Sequence, residues 1–277
     1  MNRTIAFFWA GGPMSWMRYL TLRSFRYYHP DWRMLVYSAE ESRLNKMWRS
    51  CEKQDFTEYA GKDHSSDAIS LGIDNHEWAP DFEISHLTPV HQSDLFRWWW
   101  LSRNTGFYSD MDILYLNTID PLADVMSEFS VGAIAAGNDS AFPIAFLAAN
   151  RSRAFYREVL SVALGKVGEG REYQSAGCCA VCDSARHRRG STGLKCSIST
   201  VHSEEEFCWF SPLSVYPFTW TEIDRICDQT VELPDVTRAI HWYAGAPRSQ
   251  TMNRLLTKDN WRRYPCTFTQ RLESVLR

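Results

Sequence analysis

Thr4-Ile5-Ala6-Phe7-Phe8-Trp9, followed by Ala10-Gly11-Gly12-Pro13, decides the fold class of this chain. An apolar run with a β-branched start reads as a strand, and glycines at its end let the backbone approach a ligand closely. Pro13 suits a first helical turn, and Met14, Met17, Leu20, Leu22 and Phe25 then recur at roughly helical spacing over residues 14–28. His29-Pro30-Asp31 ends that helix, and Met34-Leu35-Val36-Tyr37 reads as a second strand. Strand–helix–strand is the signature of a parallel sheet, so an α/β protein is expected.

Outward from this opening, residues 40–60 read as a polar helix. Residues 61–90 read as irregular, punctuated by His64, Ser65, Ser66, Asn75, Pro80 and Pro89. A helix from about Gln92 to Arg103 leads into a strand at Gly106–Ser109, which delivers Asp110 and Asp112 at its carboxyl end. Ligands of open α/β sheets sit at that end of the strands. Val131–Ala136 reads as a strand, Phe142–Ala149 as an apolar stretch and Ser152–Leu164 as a helix. From Gly165 to Ser203 the composition turns to Gly, Cys, Arg and Ser, the pattern of a long loop or insertion. Strand-like pieces around Phe207–Phe218 and a terminal segment, Ala239–Arg277, complete the chain, with no internal repeat and no low-complexity tract.

Hydrophobic residues at 44% and charged residues at 23% are globular values, and 277 residues suffice for a sizeable core without staples. A formal charge of -3 provides no global basic field for nucleic acid or an anionic membrane. No apolar run is long enough to span a bilayer, and the short N-terminal run lacks the length and cleavage site of a signal peptide. The eight cysteines are mostly scattered, which fits a reduced cytoplasmic setting better than a disulfide scaffold. The 12 Trp and 12 Tyr suit a site for flat rings and sugar faces, or equally an aromatic-rich core.

Asp110-Met111-Asp112 is an oxygen-rich clamp for a hard divalent cation, though an isolated Asp-x-Asp arises about once by chance in a chain this long. Its setting adds the information. Asp94, Arg97 and Leu101 share one helical face at i, i+3 and i+7, so Asp94 and Arg97 can pair, and the planar fork of Arg97 can orient a downstream carboxylate. Trp98, Trp99 and Trp100 advance by about 100° per residue and cannot all face one way, so one or two of them belong to the core.

The run Ser93-Asp94-x2-Arg97-x3-Leu101-x4-Gly106-x-Tyr108-x-Asp110-x-Asp112 resembles the sugar-nucleotide motif of the DXD-containing retaining glycosyltransferases. Phe8-Trp9-Ala10-Gly11-Gly12 resembles the first strand of that family, and His29-Pro30-Asp31-Trp32 through Tyr37 its second. Ile144–Leu160 and His241-x3-Gly245-x-Pro247 resemble later segments. The resemblance implies a GT-A fold, with a mixed, mostly parallel central sheet flanked by helices. It also implies one domain over 1–277, with a nucleotide-binding half about 1–137 and an acceptor-side half about 138–277 that contains the Cys-rich loop 165–203. It implies a nucleotide-sugar donor, Mn²⁺ or Mg²⁺, retention at the anomeric carbon, and a glycan, lipid or protein acceptor. Carried onto this sequence, Trp9 would meet the nucleobase together with the backbone of Ala10 and Gly11. Asp94 and Arg97 would hold the ribose or first phosphate and brace the clamp. Tyr108 would line the nucleotide cleft. Asp110 would face the donor as well as the metal, Asp112 would ligate the metal, and His241 would add a metal or diphosphate contact.

Two positions depart from the family pattern. Thr105 stands where a glycine usually precedes Gly106, and Ala145 stands where relatives often carry an amide near the donor sugar. Asn138 and Asp139 read either as sugar-hydroxyl contacts or as a simple turn. Cys178-Cys179-x2-Cys182-x4-His187-x8-Cys196 contains a zinc half-site spacing with an irregular second half, so structural zinc and unpaired thiols both stay open. His187-Arg188-Arg189 alone does not make a nucleic-acid surface. Two other functions fit parts of the chain. One is a phosphohydrolase of the haloacid-dehalogenase type built on Asp110 and Asp112, and the other is a non-enzymatic, zinc-stabilised interaction module around 178–196.

Overall fold

The computed structural model describes residues 1–10, 12–39, 59–135, 142–168, 174–189 and 207–276, with the backbone alone for 168 and 185–189. Strand β1 (Thr4–Trp9) buries Ile5, Ala6 and Phe7 completely and Phe8 nearly so. A strand apolar on both faces needs cover on both sides, which is the condition of a central parallel strand. Helix α1 (Trp16–Tyr28) starts after Ser15, whose hydroxyl accepts the Arg18 N–H. Pro13 therefore lies ahead of the cap and not in the first turn, a correction to the sequence reading. Strand β2 (Arg33–Ser38) pairs parallel to β1, with Thr4 opposite Arg33 and Trp9 opposite Ser38.

The region read as irregular holds a short helix, α2 (Ser65–Ile69), and a strand, β3 (Asp74–Glu77), parallel to β2. Asp-Asn-His-Glu carries no apolar residue, so β3 has no hydrophobic pattern to read; it forms by adding to the edge of β2. Residues 40–58 of the helix expected at 40–60 lie outside the described residues.

Helix α3 (Pro89–Leu101) has Pro89 in its first turn and Thr88 capping the His91 N–H. Strand β4 (Gly106–Ser109) then pairs with β1 on the side away from β2. After β5 (Ile113–Tyr115) and α4 (Asp120–Val125) come β6 (Val131–Ile134), β7 (Phe146–Ala149) and α5 (Ala154–Gly168). With β8 (Phe207–Phe210) the main sheet has, among the described residues, seven strands in the order β3-β2-β1-β4-β7-β6-β8. Only β7 runs against its neighbours, so the sheet is mixed and mostly parallel, as expected.

Alternation along the strands sorts the two faces. Phe7 and Phe107 face α1, where Phe25 meets Phe7 edge-on at 5.9 Å. Phe8 and Tyr108 face α3, where Phe96 stacks on Phe8 at 4.8 Å. Trp98 and Trp100 are fully buried, while Trp99 is half-buried under Arg103. Gly106 has φ 139°, and a Cβ there would lie 2.6 Å from the Thr4 carbonyl oxygen. The special backbone position thus falls on Gly106, and Thr105 takes no positive φ.

The Cys-rich segment is not one long loop. Helix α5 runs on to Gly168, a π-helical turn spans Ser175–Cys179, and α6 covers Ala180–Arg189. Ala180, Val181 and Ser184 are buried, and Trp98 donates its indole N–H to the Ala176 carbonyl at 2.7 Å. Cys51, Cys196, Asn138 and Asp139 lie outside the described residues, as does the side chain of His187.

Toward the C-terminus, α7 (Ile223–Cys227) precedes β9 (Ala239–His241), and α8 (Pro247–Leu255) follows it. Strand β9 pairs antiparallel with β5, setting His241 opposite Ile113. Among the described residues no helix is long and apolar enough to cross a membrane.

One buried imidazole makes the stability of this framework depend on pH. His29 is 1% exposed, bonds the Phe25 carbonyl through Nδ1 at 2.9 Å, and accepts the Ile119 N–H at Nε2 at 2.8 Å. Those bonds require a neutral ring. Burial pushes its pKa down to about 4, against the opposing pull of the Phe25 bond and Asp120, while Arg26 lowers it further. As pH falls from 6.5 toward 4 the unfolded chain takes up a proton that the folded chain refuses, so stability is lost across that window. The shift corresponds to about 3 kcal/mol. Urea unfolding of the unaltered protein and His29→Gln at pH 7 and pH 4.5 should show a loss smaller by about 2–3 kcal/mol in the variant; equal losses would sink the assignment.

Candidate active site

The carboxyl ends of β1 and β4 lie side by side at the point where the strand order reverses, β2 and β3 having been laid down on one side of β1 and β4 on the other. Such a switch point opens a crevice where ligands of α/β sheets bind. Trp9 and Ala10 leave β1 there, both half-buried, and Asp110 and Asp112 leave β4. Gly11 lies outside the described residues. The Trp9 indole N–H bonds the Gly12 carbonyl at 3.1 Å, which fixes the ring at the crevice edge.

Asp110 is braced from below. Tyr108 donates to its Oδ1 at 2.5 Å, and the Arg97 guanidinium lies 3.3 Å from the same oxygen. Arg97 also pairs with Asp94 at 2.9 Å, donates to the Ile144 carbonyl at 2.9 Å, and reaches the Ser93 carbonyl and hydroxyl. Burial would lower the Arg97 pKa, but Asp110, Tyr108 and Asp94 together hold the guanidinium charged. Asp94 is pushed up to about 7 by burial, with Arg97 opposing and Asp110 adding to the rise. Asp94 and Arg97 are 3% and 4% exposed, a position that suits bracing Asp110 and leaves little surface for a ribose or phosphate. Tyr108 is fully buried beneath α3. The family resemblance gives it a place in the nucleotide cleft; here its ring is covered, and its hydroxyl bonds Asp110.

Asp112 is held from the C-terminal side. Its backbone carbonyl accepts the Trp242 N–H at 2.9 Å, its Oδ2 accepts the Ala244 N–H at 2.8 Å, and its Oδ1 lies 3.2 Å from His241 Nε2. The β5–β9 pairing brings these segments together across about 130 residues of sequence. Burial raises the Asp112 pKa, but His241, Arg18 and the Ala244 N–H outweigh it and hold the carboxyl well below the usual carboxylate range. Tyr243 adopts φ 47°, unusual for a non-glycine residue, and the ring centroids of Tyr243 and Tyr216 lie 4.1 Å and 4.9 Å from that of His241.

Asp110, Asp112 and His241 each offer a ligand atom, and these atoms lie within 4.8 Å of one another. Ligands at about 2.1 Å from an octahedral ion stand about 3–4 Å apart, so the donor set fits a hard divalent cation with modest closure. His241 Nδ1 is buried without a hydrogen-bond partner, so the polar demands of the ring are not met by the described protein atoms alone. Cys178, Cys179 and Cys182 do not form a comparable ligand group among the described residues.

Several participants carried no signal in the sequence. Ala145 lacks the amide expected by family analogy, yet its carbonyl accepts the Asp110 N–H at 2.8 Å and its N–H bonds the Tyr216 hydroxyl at 3.1 Å. Arg18 comes from the first turn of α1, and Gly177 packs its backbone against Asp94, where a Cβ would sit 2.8 Å from Oδ2. Main-chain contacts of this kind leave no residue-type signature; a helical register for α1 was the one available pointer to Arg18.

Residues 13–128 match the glycosyltransferase sugar-binding region containing the DXD motif. No curated protein sequence matches the chain. Among solved structures, the glycosyltransferase GlyE of Streptococcus pneumoniae TIGR4 is similar over 100% of this chain and 61% of its own, at 11% identity and a TM-score of 0.50. Its apo form is similar over 99% and 64%, at 12% identity and the same TM-score. This chain thus spans less than two thirds of GlyE. The galactosyltransferase LgtC, solved with donor and acceptor sugar analogues, is similar over 95% of this chain and 100% of its own, at 14% identity and a TM-score of 0.47. At such identities the GlyE likeness speaks for the fold, a mixed α/β sheet of the GT-A kind, and the sequence match speaks for the motif. Residues 13–128 thus carry the sugar-binding region of DXD-containing glycosyltransferases on a fold of the GT-A kind, which supports a glycosyltransferase enzyme.

Proposed function

We propose that this enzyme transfers a sugar from a nucleoside-diphosphate donor to a glycan, lipid or protein acceptor, with Mn²⁺ or Mg²⁺ and with retention, in a reducing cytoplasmic setting. The observation that carries the reading is the convergence of Asp110, Asp112 and His241 at the carboxyl ends of β1 and β4. Asp112 would be the principal metal ligand, with Asp110 and His241 completing the protein's share. When bound, the cation supplies Lewis-acid stabilisation of charge on the departing diphosphate. Trp9 presents a ring at the crevice edge for the nucleobase, beside the backbone of Ala10 and Gly11. Arg97 locks the orientation of Asp110, with Asp94 behind it. Segments after residue 137 supply the acceptor side, Tyr216 and Tyr243 among them. Among the described residues no carboxylate presents itself as a covalent nucleophile, so a front-face course is preferred, in which the donor phosphate takes up the acceptor proton.

No observation favours the phosphohydrolase or the zinc module. A screen of nucleotide sugars for Mn²⁺-dependent hydrolysis tests the proposal. One donor class should be hydrolysed, chelation should lower the rate by at least about 100-fold, and added Mn²⁺ should restore it. Hydrolysis of simple phosphomonoesters with no nucleotide-sugar affinity would overturn it.

A further inference from the structure

Arg97 cannot serve a bound diphosphate without giving up its present partners. It is 4% exposed, and its N–H groups are directed to Ser93, Asp94, Asp110 and Ile144. A divalent cation balances the two charges of the donor's diphosphate, but the departing nucleoside diphosphate gains a terminal phosphate that titrates near neutrality and carries about three. A second cationic group at the crevice would complement the metal.

Arg18 stands in that position. It belongs to the first turn of α1, whose N-terminal end opens toward the carboxyl ends of β1 and β4. Its guanidinium carbon lies 5.5 Å from the ring centroid of Trp9 and 5.1 Å from that of Trp242. Arg18 is half-buried, and its charge acts on the Asp112 carboxylate. A flat guanidinium held by two aromatic rings is pre-oriented, so little rotamer freedom remains to be lost when it meets a phosphate. We propose that Arg18 is a donor-binding residue that anchors the diphosphate of the donor next to the candidate metal ligands, binding phosphate oxygens through its planar fork. This assignment rests on the nucleotide-sugar reading above and adds to it a contact that does not pass through the metal.

Inorganic pyrophosphate tests the contact without knowledge of the nucleobase. Calorimetry would follow pyrophosphate binding to the Mn²⁺-loaded protein, and electron paramagnetic resonance would follow Mn²⁺ binding alone. Arg18→Met should weaken pyrophosphate binding by about 10–100-fold. Its Mn²⁺ affinity should not fall, and the salt dependence of pyrophosphate binding should flatten. Arg18→Lys keeps the charge and loses the fork, so its pyrophosphate affinity should lie between the two; this variant carries the test if Arg18→Met fails to fold. Unchanged pyrophosphate affinity in folded Arg18→Met, or parallel loss of Mn²⁺ and pyrophosphate binding, would overturn the role of Arg18 alone. Failure of the unaltered protein to bind Mn²⁺ and pyrophosphate would sink the donor reading and this assignment with it.

Discussion

Asp112→Asn is expected to lower metal-dependent donor turnover by about 10³-fold or more while the protein stays folded. On the proposed reading, the exchange removes a negative charge from the candidate ligand set of Asp110, Asp112 and His241 and replaces a strong oxygen ligand by a weak one. A loss of about 4 kcal/mol in transition-state stabilisation corresponds to that factor. The fold should tolerate it for a specific reason. Asp112 Oδ2 accepts the Ala244 N–H, and an asparagine oxygen can keep that bond. The new amide N–H₂ then faces His241 Nε2, which turns acceptor by moving its proton to Nδ1. Nδ1 is buried without a partner, so the switch costs about 1–3 kcal/mol. Thermal unfolding should therefore show a modest drop and Mn²⁺ binding a large one. Turnover near the unaltered rate in a folded Asp112→Asn protein would remove the basis of the metal-dependent mechanism.

The same site shows which parts of the molecule were legible in the sequence. Asp94, Arg97, Asp110 and Asp112 lie on one helix and the turn after one strand, so local periodicity alone places them near each other. The opening strand–helix–strand was legible for the same reason, since every contact that defines it is between neighbours in sequence. The place of Tyr108 came from the family resemblance alone, since alternation tells which residues share a face and not what covers it. Tyr108 does share a side with Asp110, but α3 lies across that side, and Phe96 and Arg97 close over the ring. The Cys-rich segment was misread because Ala180, Val181 and Ser184 make a narrow inward face, outweighed in composition by the polar residues around them. His241 was recognised only by family analogy. Its partner Asp112 is 129 positions away, and the two-strand ribbon that joins them is three residues long on each side. Arg18, Ala145 and Gly177 act through tertiary placement or through backbone atoms, which residue identity does not encode.

Arg97→Met is expected to be the most destabilising single change at the site, by about 3–5 kcal/mol, because it removes the cation from a buried carboxylate without removing the carboxylate. Asp94 keeps its 3% exposure and loses the ion pair at 2.9 Å, while Asp110 retains the Tyr108 hydroxyl. For a chain of this size the melting temperature should fall by about 10 °C. The pH dependence separates this cause from loss of packing. Burial already raises the Asp94 pKa to about 7 against the pull of Arg97, and without Arg97 it rises further. In the variant the folded state then keeps a proton on Asp94 to higher pH, so its stability is greatest at low pH and falls as pH passes through the raised pKa. The deficit relative to the unaltered protein should accordingly be smaller at pH 6 than at pH 8.5. Adding Asp94→Asn should recover about half of the lost stability, since a neutral amide no longer needs the cation. It should not recover donor turnover, because Asp110 would still lack the guanidinium that fixes its carboxylate beside Asp112 and His241. A deficit that is the same at both pH values, and is not relieved by Asp94→Asn, would show that Arg97 acts on stability through packing, with its charge of no consequence.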